Sequence, residues 1–242
     1  MDLTPELEHR FATARSEQDN YQPSDGVRRV IKDKTLVMIV APAAMGKSYV
    51  ISRAIEANPR FAQTVSFTTR DPRAGDDGNM RTIPRDNEHI GILLDLIESG
   101  QVVNYTIFPT TGMMYGTDLS SYPGEVNLMP TLANSAETLR RTGFGECITI
   151  GLVAPLDTWQ MWFNTRFPEL TQEKTARLKE ALLSISWLLQ DSSVRWLINR
   201  DGEIDTVAQE LITIAENDVV THQDTAISYA RAIREYIVET LK

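Results

Sequence analysis

Cysteine is almost missing from this chain: Cys147 stands alone among 242 residues, so no disulfide can form within it, and a reducing compartment fits. Histidine is equally scarce. His9, His89 and His222 lie far apart and away from the cysteine, which removes the spacing a zinc site needs. No apolar run approaches the ~18 residues of a membrane span, and the first residues, MDLTPELEHRF, lack the apolar core of a signal peptide. Positive charge is in deficit as well. Lys and Arg number 24 against 33 Asp and Glu, a net charge of −9. That balance opposes a broad basic surface for nucleic acid or an anionic membrane, but leaves room for a local arginine cluster around a small anion. The expectation is a soluble, cytoplasmic protein that acts on small molecules.

What is present organises the chain as α/β. Residues 1–33 are polar, end in the turn-rich QPSDG and show no strong apolar face, so they read as an N-terminal extension with at most a short helix. Leu36–Val40 is a continuous apolar run, the pattern of a strand buried in a parallel sheet. Helical spacing follows at Val50, Ile51 and Ile55, and again at Ile90, Leu93, Leu94 and Ile97, where Gly100 ends the pattern. Further strands are predicted at 65–69, 102–108, 147–153 and 194–198, with a turn at 110–116. Helices are predicted at 132–141, at 204–214, from an N-cap at Thr171, and along Ala226, Ala230, Ile233, Ile237 and Leu241. Alternating strands and helices imply a three-layer domain with a mostly parallel sheet, and the last helix is expected to pack on the core. Trp159, Trp162, Trp187 and Trp196 read as packing residues, and Asp76-Asp77 as a solvated turn.

The first chemical signal is APAAMGKS, residues 41–48, between a predicted strand and a predicted helix. A phosphate-binding loop needs that context, because the loop amides and the helix N-terminus then face an anion. Ala44, Met45, Gly46 and Tyr49 belong to this loop and its helix start. Lys47 would neutralise the β- and γ-oxygens of ATP, and the Ser48 hydroxyl would help hold Mg²⁺. Ala41 stands where the full pattern asks for glycine. If Ala41 or Ala44 adopts a left-handed conformation, the cost is roughly 1–2 kcal/mol each.

The second signal is VSFTTRDPRAGDDG, residues 65–78, with YGT at 115–117. Together with the loop, these resemble the signature of guanylate kinases, over a span from about 35 to about 214. The resemblance implies a P-loop NTPase fold over 34–215 with a parallel central sheet. It further implies a small β-rich acceptor-binding subdomain near 64–125 and a helical lid near 157–180, leaving 216–242 as a C-terminal helix. It implies ATP- and Mg²⁺-dependent phosphoryl transfer to a nucleoside monophosphate, GMP foremost. Ser66, Arg70 and Arg73 correspond to the residues that hold the acceptor phosphate, and two guanidinium forks three residues apart suit a dianion. Tyr115 and Thr117 lie in what resembles the second nucleotide-contacting turn. Arg166 and Arg177, in FNTRFPELTQEKTARL, match the lid arginines, and Asn199 matches the asparagine on the adenine side.

The base pocket departs from the family. Asn104 stands at the position of the guanine-reading carboxylate, and one acceptor oxygen beside a donor amide cannot satisfy both guanine donors. EVNLMPTLAN contains no aspartate where the family carries one, and its Pro130 disfavours a regular central strand. Arg81 falls near a family tyrosine and would add positive charge beside the acceptor phosphate. The residues that handle phosphate are kept and those that read the base are altered. Two other readings follow: a kinase for a different phosphorylated acceptor, and a non-catalytic binding module of the same fold.

Overall fold

The computed structural model describes residues 3–72, 78–108, 111–169 and 171–242. Arg73 and the Asp76-Asp77 pair lie outside them. The chain is mixed α/β with a parallel central sheet and divides into two compact units, one formed by residues 1–35, 62–127 and 138–146, the other by 36–61, 128–137 and 147–242.

The first unit begins with helices α1 (Pro5–Glu17) and α2 (Asp25–Ile31), capped by the side chains of Thr4 and Ser24. Residues 1–33 are therefore part of this unit. Leu3, Leu7 and Phe11 pack with buried Ala14 against the unit's core. Their spacing of three to four residues is a narrow apolar stripe, easily lost in sequence among the Glu, His and Arg around it. Across from α1 lies α4 (Asn87–Glu98), which buries Ile90, Leu93, Leu94 and Ile97 and is capped by Asp86. Arg10 ties the two helices by bonds of 2.6–2.8 Å to Asp95 and Glu98.

Four strands complete this unit in the order β4-β3-β6-β5: β3 (Ser66–Thr68), β4 (Met80–Thr82), β5 (Val102–Ile107) and β6 (Met114–Asp118). The YGT segment expected in a turn is thus the middle of β6. Gly116 is there for space: a Cβ would come within 2.4 Å of the Phe67 ring and 2.7 Å of the Asn104 carbonyl. The register pairs Phe67 with Gly116 and Arg81, and Gly116 with Tyr105. Because side chains alternate along a strand, one face carries Phe67, Tyr105, Ile107 and Met114 into the core. The other face carries Ser66, Thr68, Asn104, Thr106, Tyr115 and Thr117.

The second unit is built on the larger sheet, with strands β1 (Thr35–Val40), β2 (Phe61–Gln63), β7 (Val126–Thr131), β8 (Glu146–Val153) and β9 (Arg195–Ile198). Their order is β2-β7-β1-β8-β9, and β8 and β9 run parallel. β1 and β7 start in the first unit and continue into the second. Pro130 does not prevent β7, contrary to expectation. It is the next-to-last residue, so the ladder loses one donor at the strand's end and the other positions keep theirs. Helices α3 (Lys47–Ala57) and α8 (Ile204–Asn217) pack together, and α9 (Gln223–Thr240) lies on α7 (Gln172–Gln190) and β9, the core packing the sequence predicts. The remaining helices are α5 (Ala133–Arg140) and α6 (Leu156–Arg166).

The sheet geometry makes a stability prediction. Gly116→Ala should lower unfolding free energy in urea titrations by about 1–3 kcal/mol through overpacking against Phe67. Gly26→Ala, whose new Cβ meets nothing closer than 3.7 Å, should leave stability equal or slightly higher.

Candidate functional site

In the second unit, β1 is buried along Leu36–Val40 and delivers the chain to the loop 41–46. Ala44 is left-handed at φ 61°, and Gly46 at φ 82°, while Ala41 is not, so one alanine carries the strain cost of about 1–2 kcal/mol. A side chain at Gly46 is excluded twice over, since its Cβ would sit 2.5 Å from the Asn199 amide nitrogen. That nitrogen donates to the Met45 carbonyl at 2.9 Å, and the Asn199 backbone N–H donates to Val153 at 2.7 Å. The Trp159 indole N–H donates to Ala43 at 3.0 Å, and the Lys47 ammonium to Ala41 at 2.8 Å and Pro42 at 3.2 Å. Four loop carbonyls are thereby turned toward side-chain donors. Peptide planarity then turns the N–H groups of residues 43, 44 and 46 the opposite way. These amides, with the first turn of α3, form an edge suited to an anion.

Positive charge gathers at the same place. Loss of hydration lowers the Lys47 pKa to about 8; Glu180 acts against the shift, and Arg166 and Arg177 add to it. Arg166 ends α6 with its guanidinium 5.7 Å from the Phe167 ring centre. Arg177 bonds to Glu180 at 2.9 Å. The predicted lid is thus two helices, joined by a Lys174–Asn164 bond of 2.8 Å and anchored by the fully buried Trp159. Thr171 caps α7 as predicted from the sequence. Beside the loop lies a cavity of about 500 Å³ lined by Ala44, Gly46, Tyr49, Trp162, Asn199 and Arg200, among others. Tyr49 is 61% exposed at its mouth. Trp162 reads in the sequence only as a packing residue and Arg200 draws no notice there, because nothing in their spacing ties them to the loop.

In the first unit, Ser66, Asn104, Tyr115 and Thr117 share the polar face of the small sheet. Arg70 follows β3 with only 7% of its surface exposed, its backbone N–H on Thr68 and its guanidinium on the Asp71 carbonyl at 2.8 Å. Arg81 is not on this face. Its register with Phe67 points it to the opposite side, where it pairs with Asp118 and reaches Ser120 at 3.3 Å. Burial pushes the Asp118 carboxyl up, but bonds from Ser120 and Arg81 outweigh it and hold the group below its usual range. The expectation of added charge beside the acceptor phosphate is therefore corrected. Asn104 accepts from the Thr117 hydroxyl, which in turn meets the Tyr122 hydroxyl at 2.7 Å. Among the described residues no cluster of three or more His, Cys, Asp or Glu could hold a metal. No described helix is long and apolar enough to cross a membrane.

Comparison with known proteins bears on both units. A guanylate kinase of Prochlorococcus marinus subsp. pastoris is 27% identical over 191 residues, covering 76% of this chain and 98% of the relative. The chain is guanylate-kinase-like. A guanylate kinase of Vibrio vulnificus is 36% identical over a shorter stretch of 85 residues, 34% of this chain and 39% of the relative. The crystal structure of guanylate kinase from Anaplasma phagocytophilum shares the fold, with a TM-score of 0.50 at 17% identity over 84% of this chain and 92% of that one. No family model matches the chain. In this guanylate-kinase-like chain, Asn199 does more than border the cavity: it braces the loop through Met45.

The lowered pKa of Lys47 sets a pH dependence. Its charged form attracts phosphate and predominates below pH 8 in the free protein, then is lost as pH rises through about 8. Binding of ATP should weaken between pH 8 and 9.5, approaching ten-fold per unit. Lys47→Arg, which stays charged, should show a flat profile when both are titrated by calorimetry.

Proposed function

We propose that this chain is an ATP- and Mg²⁺-dependent nucleoside monophosphate kinase. The observation that carries the reading is the gathering of Lys47, Arg166 and Arg177 around one phosphate-suited loop. A transferring phosphoryl group needs little covalent help from protein, so catalysis reduces to positioning and to charge placed where negative charge develops.

Each residue then has a task. Amides of residues 43, 44 and 46 and the ammonium of Lys47 hold the donor phosphates, releasing the Ala41 and Pro42 carbonyls that Lys47 occupies. The cavity beside Asn199 and Trp162 has the size and mixed lining for adenine and its ribose. Ser48, at the start of α3, would be the protein's ligand to Mg²⁺, with phosphate oxygens and water completing the shell. Bound there, the ion would supply positive charge that offsets the charge of the phosphate oxygens. Arg166 and Arg177 offset charge on the group in flight. Ser66, Arg70 and Arg73 hold the acceptor phosphate, and Tyr115, Asn104 and Thr117 its nucleoside. An acceptor phosphate oxygen is already ionised near neutral pH, so it attacks the γ-phosphorus without a general base as ADP departs. The reading makes the protein cytoplasmic, with nucleotides as its partners and neither nucleic acid nor membrane. GMP, the acceptor the resemblance puts first, meets an obstacle at Asn104.

One observation favours a non-catalytic binding module: β7 offers Asn127, Leu128, Met129 and Pro130 and no carboxylate. A coupled assay of ADP release with a panel of nucleoside monophosphates separates the readings. Turnover with one of them is expected, falling at least 10²-fold in Lys47→Ala, and by ~10³ in Arg166→Ala or Arg177→Ala. A folded protein that binds ATP yet turns over with none supports the binding module.

A further inference from the structure

The strand that carries Asn104 is held from outside the small sheet. β5 is the outer strand of that sheet, and its ladder with β6 is irregular. Val102 lies opposite Asp118 and Asn104 opposite Thr117, so two steps along β5 match one along β6 and Val103 is the extra residue of a bulge. The bulge decides where Asn104 points. Val102 and Tyr105 both belong to the core cluster, although a spacing of three puts side chains on opposite faces of an unbroken strand. With the extra residue between them, both keep the core face and Asn104 takes the polar face beside Thr117.

The N-terminal segment grips this strand on both sides of Asn104. The Tyr21 hydroxyl donates to the Val102 carbonyl at 2.8 Å, just before the bulge, and the Gln18 side-chain oxygen accepts from the Ile107 N–H at 2.6 Å. Between these points the Tyr105 hydroxyl donates to the Ala14 carbonyl at 2.8 Å, and the Tyr21 and Tyr105 rings meet edge-on with centres 4.9 Å apart. Burial pushes the Tyr21 phenol above its ordinary range, so its hydroxyl keeps the proton it donates. An outer strand presents backbone groups that the ladder does not pair, and a bulge disrupts the ladder further. Tyr21 and Gln18 supply partners to two of those groups. Resting on the kinase reading above, we propose that Gln18 and Tyr21 are positioning residues of the acceptor site, fixing the bulged course of β5 and through it the place of Asn104 against the acceptor's base. Both residues precede the span that resembles guanylate kinases.

The test is calorimetric titration of the full chain with AMP, CMP, GMP and UMP, followed by work with whichever binds most tightly; ATP binding is the control for an intact second unit. Tyr21→Phe keeps the ring and removes only the hydroxyl. It and Gln18→Leu should each weaken that monophosphate by about three- to ten-fold while leaving ATP affinity unchanged. Gln18→Glu keeps an oxygen for the Ile107 N–H and should bind the monophosphate as the wild type does. In an Asn104→Ala background, Tyr21→Phe should add less than about two-fold, because the residue it acts through is gone. Monophosphate affinity unmoved by Tyr21→Phe and Gln18→Leu, or an equal loss with and without Asn104, overturns the inference and leaves the kinase reading intact. If ATP binds but no monophosphate binds the wild-type chain, the acceptor assignment itself fails and the inference falls with it.

Discussion

Three cations share one neighbourhood in the second unit, and the structure around them follows from that. Lys47, Arg166 and Arg177 act on one another electrostatically with Glu180 as the countervailing carboxylate, a local excess of positive charge that is unfavourable until an anion arrives. The chain tolerates it because rigid elements hold each member. Lys47 rests on the carbonyls of Ala41 and Pro42, Arg177 on Glu180, and the helix bearing Arg166 is fastened to Ala43 through Trp159. The same fastenings, with Asn199, occupy the carbonyls of Ala41, Pro42, Ala43 and Met45. A mutation that loosens Trp159 or Asn199 would therefore disturb phosphate binding without touching phosphate.

The first unit solves a different problem with the same economy. Its four-stranded sheet has one apolar face and one polar face, and strand alternation keeps them apart. Phe67, Tyr105 and Met114 bury themselves against α1 and α4, while Ser66, Asn104, Tyr115 and Thr117 lie on the opposite face, Asn104 and Thr117 buried there. Gly116 is where the two demands meet: the Phe67 ring occupies the space a side chain would need, so the strand can carry Tyr115 and Thr117 on its polar face only with glycine between them. Tyr105 links this sheet to α1 through a 2.8 Å bond to the Ala14 carbonyl, and burial pushes its phenol up to about 12, so the bond persists across the working pH range.

Much of this was legible in the residues. The apolar run before Gly46-Lys47-Ser48 identifies a buried strand feeding a loop and a helix, and the periodic faces of α4 and α9 name their own core residues. Three features were not legible, each for a physical reason. The stripe of α1 is one residue wide per turn and is diluted by charge. The glycines at 112 and 116 look alike in sequence, but the first has φ 61° while the second sits in a strand to make room for a ring. Arg81 shows its true direction only once the register with Phe67 is known. The altered base pocket was visible as Asn104 itself, whereas its bond with Thr117 depends on strand pairing that no spacing reveals.

Hydrogen–deuterium exchange with and without ATP and Mg²⁺ tests the central claim most directly. The account predicts slowed exchange at the amides of residues 43–48, with secondary slowing around Arg166 and Arg177, and little change on the small sheet until a monophosphate is added. Nucleotide binding that leaves residues 43–48 exchanging as in the free protein would contradict it.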